Sequence, residues 1–195
     1  MGFFKNLFSD NNYVISIDRS SWIHISNIIT NKFADGREHW FSELILVLES
    51  TIKEKQSSIH IVNRKLNRES ENTIKAYQLY LYSELMANKK YIPPAEGEEF
   101  SDLLFAQVAG KDLENVLNIF KRYHEVANDR STMLFRFSGD IAMYITESQA
   151  PLMESVLIGS TVPFLTIMSR LSIAESFSDY ELIKELENSM RTLMQ

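Results

Sequence analysis

Residues 35–52 read Asp-Gly-Arg-Glu-His-Trp-Phe-Ser-Glu-Leu-Ile-Leu-Val-Leu-Glu-Ser-Thr-Ile, and this stretch decides the fold class. Asp35 and Glu38 are spaced as a helix capping pair. The run from Leu44 to Leu48 adds apolar side chains around the helix circumference, as expected of a helix covered on several sides. The residues that repeat at helical spacing are Phe41, Leu44, Ile45, Leu48 and Ile52. The sequence therefore predicts a central core helix that begins at Asp35.

Other amphipathic segments on both sides of this stretch each predict a helix. Ser20 and Ser21 are candidate caps for the helix that precedes the central one. The apolar stripes of these segments run over Trp22–Ile29, Ile74–Leu85, Leu113–Ala127 and Leu134–Ile145. Short loops between them favour antiparallel neighbours.

Three further signals predict the C-terminal helices. Pro151 and Pro163 are placed as first-turn prolines of two separate helices. Ser178 and Glu181 have the spacing of a capping box, which predicts a last helix that begins at Ser178. We therefore expect an all-α fold, a compact bundle of about seven or eight helices with at most one minor strand.

The N-terminal residues carry two weaker signals. Phe3, Phe4, Leu7 and Phe8 would form one apolar stripe on a short helix. Membrane-surface helices normally have several basic residues on the polar face, and this segment has one lysine, so we expect it to dock on the protein core or on a partner. Residues 13–17 alternate weakly and are the candidate strand.

Residues 91–100, Tyr-Ile-Pro-Pro-Ala-Glu-Gly-Glu-Glu-Phe, divide the chain by charge. Residues 1–92 carry 12 Lys and Arg against 10 Asp and Glu, whereas residues 93–195 carry 8 against 16. Adjacent prolines disfavour a helix there. Because the helices on both sides need a shared core, we expect one helical domain over 1–195, with 91–100 as a short internal turn.

No familiar catalytic or metal-binding pattern is present. The chain has no cysteine, which excludes disulfides and thiolate chemistry and is consistent with a cytoplasmic location. His124-Glu125 begins a zinc-protease pattern, but Asn128 replaces the second histidine ligand, so we expect His124 to lie at the edge of the core. The sequence predicts no catalytic residues, no cofactor and no metal, and favours a protein that is not an enzyme.

Nucleic acid and membrane are both disfavoured as partners. Residues 53–68 have a net charge of +4, and Tyr77, Tyr80 and Tyr82 could stack on bases. The whole chain, however, has a net charge of −6 and a pI near 5.3, whereas phosphate binding calls for a strongly basic face. No run of apolar residues approaches the roughly 18 needed to span a bilayer.

The leading functional hypothesis is a non-enzymatic protein-binding module, such as an inhibitor or immunity-type protein, whose acidic C-terminal half meets a basic partner. The candidate partner-binding residues are Glu96, Glu98, Glu99 and Asp102. A homodimer, in which the basic residues 53–68 meet this acidic region of another copy, is a second form. The alternative is an enzyme or small-ligand receptor with a pocket between helices, suggested by the apolar segment Thr161–Ile173.

Overall fold

The computed structural model describes residues 19–55, 59–89, 91–92, 94–126, 130–146 and 152–194. These residues are 90% helical and include no strand, which confirms the all-α class. Two 3-10 turns lie at Arg19–Ser21 and Gly110–Asp112. The helices are α1 (Trp22–Lys55), α2 (Arg68–Lys89), α3 (Pro94–Ala109), α4 (Leu113–Glu125), α5 (Arg130–Thr146), α6 (Leu152–Ser176) and α7 (Tyr180–Leu193).

α1 is one continuous helix where the sequence predicts two. The predicted boundary at Asp35 lies well inside it. Gly36 is buried, and a β-carbon there would lie 3.7 Å from the terminal methyl of Met168 on α6. One turn further, Trp40 Nε1 donates to the Thr161 carbonyl of α6 at 3.1 Å. Packing against α6 outweighs the local stop signal, since glycine in a helix costs only about 1 kcal/mol.

α6 is also a single helix, because Pro163 lies inside it and does not begin a new one. The proline ring has no N–H to donate to the carbonyl of Gly159, one turn earlier. α6 packs against α1, α2, α5 and α7, and these contacts offset the roughly 3 kcal/mol that an interior proline costs.

The predicted turn at 91–100 is shorter than expected. Tyr91 and Ile92 are fully buried and lie outside any helix, but α3 begins at Pro94, a favoured first-turn position for proline. Phe100 therefore belongs to a helix. Two pairs of predicted helices are each a single helix, and α3 was not predicted, so the predicted helix boundaries are wrong at these places although the all-α class is right.

The cap of α7 is Asp179 and not Ser178. Ser178 has a left-handed backbone, with φ of 54°, and closes α6: its N–H donates to the Glu175 carbonyl, and the Asp179 N–H donates to the Ala174 carbonyl at 2.9 Å. This pair of bonds is the Schellman arrangement. The cap of the next helix is consequently displaced by one residue, to Asp179, which accepts from the Leu182 N–H at 3.0 Å.

Phe137 of α5 lies at the centre of an aromatic cluster drawn from four helices. Its ring stacks on Tyr77 of α2 with centroids 4.3 Å apart, and contacts Trp40 of α1 and Tyr123 of α4 at 5.8 and 6.2 Å. Residues before and after the 91–100 stretch thus share one hydrophobic core.

A buried polar network fixes α1 against α2. Gln78 donates to the Phe33 carbonyl at 3.0 Å and accepts from Arg37 at 2.9 Å. Burial lowers the pKa of Arg37, and this effect is opposed by the charge of Glu71, 3.8 Å away. Because such groups are costly to bury unpaired, the network penalises any other register of the two helices.

The stripe predicted at Phe3, Phe4, Leu7 and Phe8, and the candidate strand at residues 13–17, lie outside the described residues.

Candidate functional site

The four predicted acidic residues lie on the first turns of α3. Glu96, Glu99 and Asp102 are exposed and Glu98 is half-buried. Glu99 pairs with Arg19, which is itself exposed. The structure thus places all four on one helix. We call the solvent-facing side of α3 that carries Glu96, Glu98 and Asp102 the α3 acidic face; Glu98 and Asp102 lie one turn apart on it, and Glu96 lies at its opposite edge.

Glu98 and Asp102 are one helical turn apart, the spacing at which like charges repel. Partial burial raises the pKa of Asp102, and the neighbouring charge of Glu98 raises it further. The folded protein therefore holds the Asp102 carboxylate in a setting that disfavours its charge.

The opposite side of α3 is packed, so the acidic face has a fixed direction. The ring of Phe100 makes edge contacts with Trp22 of α1 and with Phe177, at centroid distances of 6.2 and 6.0 Å. Tyr82 of α2 hydrogen-bonds Ser101 at 3.1 Å.

A polar cleft of about 510 Å³ lies between α2, α4 and α5, on a part of the protein where sequence reasoning identified no site. The cleft is lined by Arg68, Glu69, Asn72, Asn115, Asn118, Ile119, Arg122 and Tyr144. Only one of these side chains is aliphatic, so the cleft is built for hydrogen bonding and charge.

Asn72 is the most buried of the lining residues, at 4% exposed. Its Oδ1 is inaccessible to water and has no hydrogen-bond partner within the described residues. A buried acceptor left unpaired costs about 1–3 kcal/mol.

Arg68 is held in place by Asp112 at the start of α4. Its Nε donates to Asp112 Oδ1 at 2.8 Å, and its Nη2 contacts the same oxygen. These hydrogen bonds lower the pKa of Asp112 and raise that of Arg68. Yet 61% of the Arg68 side chain stays exposed, so part of its guanidinium still faces solvent.

Arg122 forms the other cationic wall of the cleft. It lies 4.0 Å from Asp140, which accepts a 3.0 Å hydrogen bond from Tyr123. Burial raises the pKa of Asp140, while the Tyr123 hydrogen bond and the Arg122 charge oppose this shift. Burial also raises the pKa of Tyr123. These groups position Arg122 beside the cleft while leaving 46% of its side chain exposed.

The histidines considered as acid–base or metal groups lie elsewhere. His24, His39, His60 and His124 are all exposed. His124 contacts the ring of Phe120 at 6.1 Å, so it lies beside the core at its solvent edge. Within the described ranges no three His, Asp or Glu side chains are grouped as metal ligands.

The basic segment 53–68 does not form an aromatic surface for bases. Tyr77, Tyr80 and Tyr82 are buried, so they are not available to stack on nucleic acid. Two of the basic residues are paired within the protein, Arg64 with Glu49 and Arg68 with Asp112.

The apolar segment Thr161–Ile173 is part of α6, which is long and apolar enough to cross a membrane by length and composition. A buried core helix meets the same criterion, and Leu165 and Ile173 of α6 are fully buried. Arg170 on this helix is paired with Glu84 of α2. The segment is core, and the cleft lies elsewhere.

The chain matches no protein-family model, no curated protein and no solved structure in the comparisons made. Fold and site together define an all-α protein with an acidic helix face and a separate polar cleft.

Sequence reasoning missed the cleft residues because only part of their pattern is local. Asn115, Asn118 and Arg122 recur at helical spacing on the polar side of α4, and that stripe could have been found. No local sequence pattern shows that Asn72 and Tyr144 line the same cleft.

Proposed function

We propose that the protein is a non-enzymatic protein-binding module whose acidic C-terminal half binds a basic surface of a partner through the α3 acidic face. The observation that supports this proposal is that Glu96 and Asp102 are exposed, and Glu98 is half-buried, on one packed helix. In the part of the chain that the structure describes, none of the three has a cationic partner.

The electrostatics of this face favour a basic partner. The raised pKa of Asp102 reflects burial and the charge of Glu98, so these two carboxylates repel each other. Lysine or arginine side chains placed against it would reduce that repulsion and would steer the encounter at a distance.

Part of the remaining acidity of the C-terminal half is neutralised by ion pairs within the protein. Asp112 pairs with Arg68, Asp179 with Lys89, and Glu175 with Lys32. The net charge of residues 93–195 therefore overstates the acidic surface. Among the described residues, exposed carboxylates without a cationic partner remain on both α3 and α7.

An inhibitor or immunity-type role is the concrete form of this proposal. A rigid helix with fixed carboxylates can cover a basic functional surface without a large ordering cost, because its backbone is already in place. The proposal includes a cytoplasmic location, because an effector that acts inside the cell would be bound there. The alternative partner is a second copy of the protein, whose basic residues 53–68 would meet the α3 acidic face.

The test is capture of partners from the native host at two salt concentrations. The α3 variant combines Glu96→Gln, Glu98→Gln and Asp102→Asn. The matched control combines Glu181→Gln, Glu185→Gln and Glu187→Gln, which changes the net charge equally on exposed positions of α7. We expect a basic partner that the α3 variant loses, the control retains and high salt weakens.

Equal recovery of the same proteins by the wild type and the α3 variant would show that this face is not the binding site. Light scattering at low salt tests the second copy as partner: a dimer that the α3 variant abolishes would assign the face to self-association.

A further inference from the structure

We propose that the cleft between α2, α4 and α5 is a second binding site, for an extended peptide segment that carries an acidic side chain. This site is separate from the α3 acidic face and takes a ligand of the opposite charge.

Asn72 indicates that the cleft is completed by a ligand. Its Oδ1 is an acceptor with no donor in the described part of the protein, although the residue is 96% buried. Native proteins satisfy nearly all such groups. Asn72 lines the cleft, and its amide must move for a ligand N–H to reach this oxygen.

The α4 wall offers the same chemistry. Asn115 and Asn118 are exposed and lie one turn apart, and their side-chain amides make no hydrogen bond within the described residues. A side-chain amide has both donors and an acceptor, which match the N–H and C=O of a peptide group. Three such amides in one cleft fit a backbone that presents both groups repeatedly.

The two guanidinium groups select the acidic side chain. Arg68 donates to Asp112, Arg122 lies 4.0 Å from Asp140, and the side chains of both arginines remain partly exposed to solvent. Arginine presents its N–H groups in a planar fork that matches a carboxylate. Glu69 at the rim would repel a second acidic group nearby, so one carboxylate is the expected complement.

The openness of the cleft favours a peptide over a small metabolite. Sites for small molecules bury about 70–90% of the ligand surface. Here Asn115, Asn118 and Arg122 are all exposed, so a small ligand would stay largely in water. An extended segment continues beyond the cleft and gains contacts along its length.

The test is an NMR titration of the whole chain with a blocked hexapeptide that has one Glu among five Gly residues, the Glu–Gly peptide. We expect shifts of the side-chain amide signals of Asn72, Asn115 and Asn118. The Arg122→Gln variant should bind about tenfold more weakly, the usual effect of losing a hydrogen bond to a charged group. Lys121→Gln removes the same charge from the neighbouring, exposed position outside the cleft and should bind as the wild type does.

A second variant keeps the proposal testable if Arg122→Gln fails to fold. Asn118→Asp places a carboxylate on an exposed position of the cleft and should repel the acidic peptide while the circular dichroism spectrum is unchanged. Rescue of its binding by the matching Gln–Gly peptide would support charge recognition.

Each of the following results would overturn the proposal. These are absence of amide shifts at millimolar peptide, equal loss of binding in Lys121→Gln, equal affinity of the wild type for the Glu–Gly and Gln–Gly peptides, and equal affinity for free glutamate. Amide shifts produced by diluting the protein alone would assign the cleft to a second copy and would equally overturn it.

Discussion

Tyr91 donates a 2.8 Å hydrogen bond from its phenol to Oδ2 of Asp179, while Oδ1 of the same carboxylate caps α7. The Tyr91 ring also stacks on Phe177 with centroids 4.6 Å apart. The residue at the start of the 91–100 stretch therefore fixes both the end of α6 and the beginning of α7, and a local turn is tied to the C-terminal part of the fold.

Removing either partner should destabilise the protein. We expect Tyr91→Phe to cost about 1 kcal/mol of unfolding free energy, the usual value of one hydrogen bond. Asp179→Ala should cost about 2–4 kcal/mol, because it removes the helix cap and leaves a buried phenol unpaired. Urea unfolding measures both. The double variant should cost less than the sum of the two, whereas strict additivity would mean that the two residues are not coupled.

The acid stability of the protein should depend on Asp179. Burial acts to raise its pKa, but the hydrogen bonds from Leu182 and Tyr91 and the charge of Lys89 outweigh this effect, so the pKa is lowered. A lowered pKa in the folded state gives stability that is present above the unfolded value, about 3.9, and is lost as pH falls through the folded value.

Asp179→Asn is the matched variant, because asparagine also caps helices but does not titrate. The difference in unfolding free energy between wild type and this variant should shrink as pH falls from about 5 to about 2. A difference that stays constant over this range would contradict the assignment.

Asp140 should have the opposite effect on how the unfolding free energy depends on pH. Burial raises its pKa, so the folded state carries a penalty that develops as pH rises through the folded value and persists at pH 7. Asp140→Asn keeps an acceptor for Tyr123 and should raise the unfolding free energy at pH 7 by a few tenths to about 1 kcal/mol, given its partial solvent screening. The gain should vanish below about pH 4. A variant that is less stable at pH 7 would show that the Arg122 contact outweighs burial.

Removing glycine at one helix end and introducing it at another should change the unfolding free energy in opposite directions. Gly110 and Ser178 both have left-handed backbones, with φ of 60° and 54°. Gly110→Ala should lower the unfolding free energy by about 1 kcal/mol, and Ser178→Gly should raise it by about 0.5–1 kcal/mol. Thermal unfolding followed by circular dichroism is sufficient to compare them. Shifts of the same sign would mean that backbone conformation is not the dominant effect.

Asn72→Leu should make the protein more stable and should abolish binding of the peptide. The variant replaces an unpaired buried amide by an apolar side chain of similar size, and we expect the unfolding free energy to rise by about 1 kcal/mol while binding of the Glu–Gly peptide is lost. Thr73→Val is the control, since Thr73 Oγ1 is also buried and unpartnered in the described part of the chain but does not line the cleft. Retention of peptide binding by Asn72→Leu would exclude Asn72 from the site.

The local pattern predicted the class of the fold and most of its buried stripes. Leu44 and Leu48 are buried as their helical spacing predicts, and the stripe from Leu113 onwards lies on α4 as expected. Glu96, Glu98, Glu99 and Asp102 could be grouped from sequence because they share one short segment. The direction in which these side chains face could not be predicted from sequence, because it depends on the contacts of Phe100 with Trp22 and Phe177.

The sequence by itself determined that the chain is helical, that its charge is uneven and that it has no thiol chemistry. Only the tertiary structure decided where helices end and which polar residues meet. α1 continues through Gly36, Pro163 lies inside α6, and Asp179 replaces Ser178 as a cap, because packing contacts exceed local signals of about 1–3 kcal/mol. The cleft likewise joins Asn72 to Asn115, residues whose proximity no local pattern encodes.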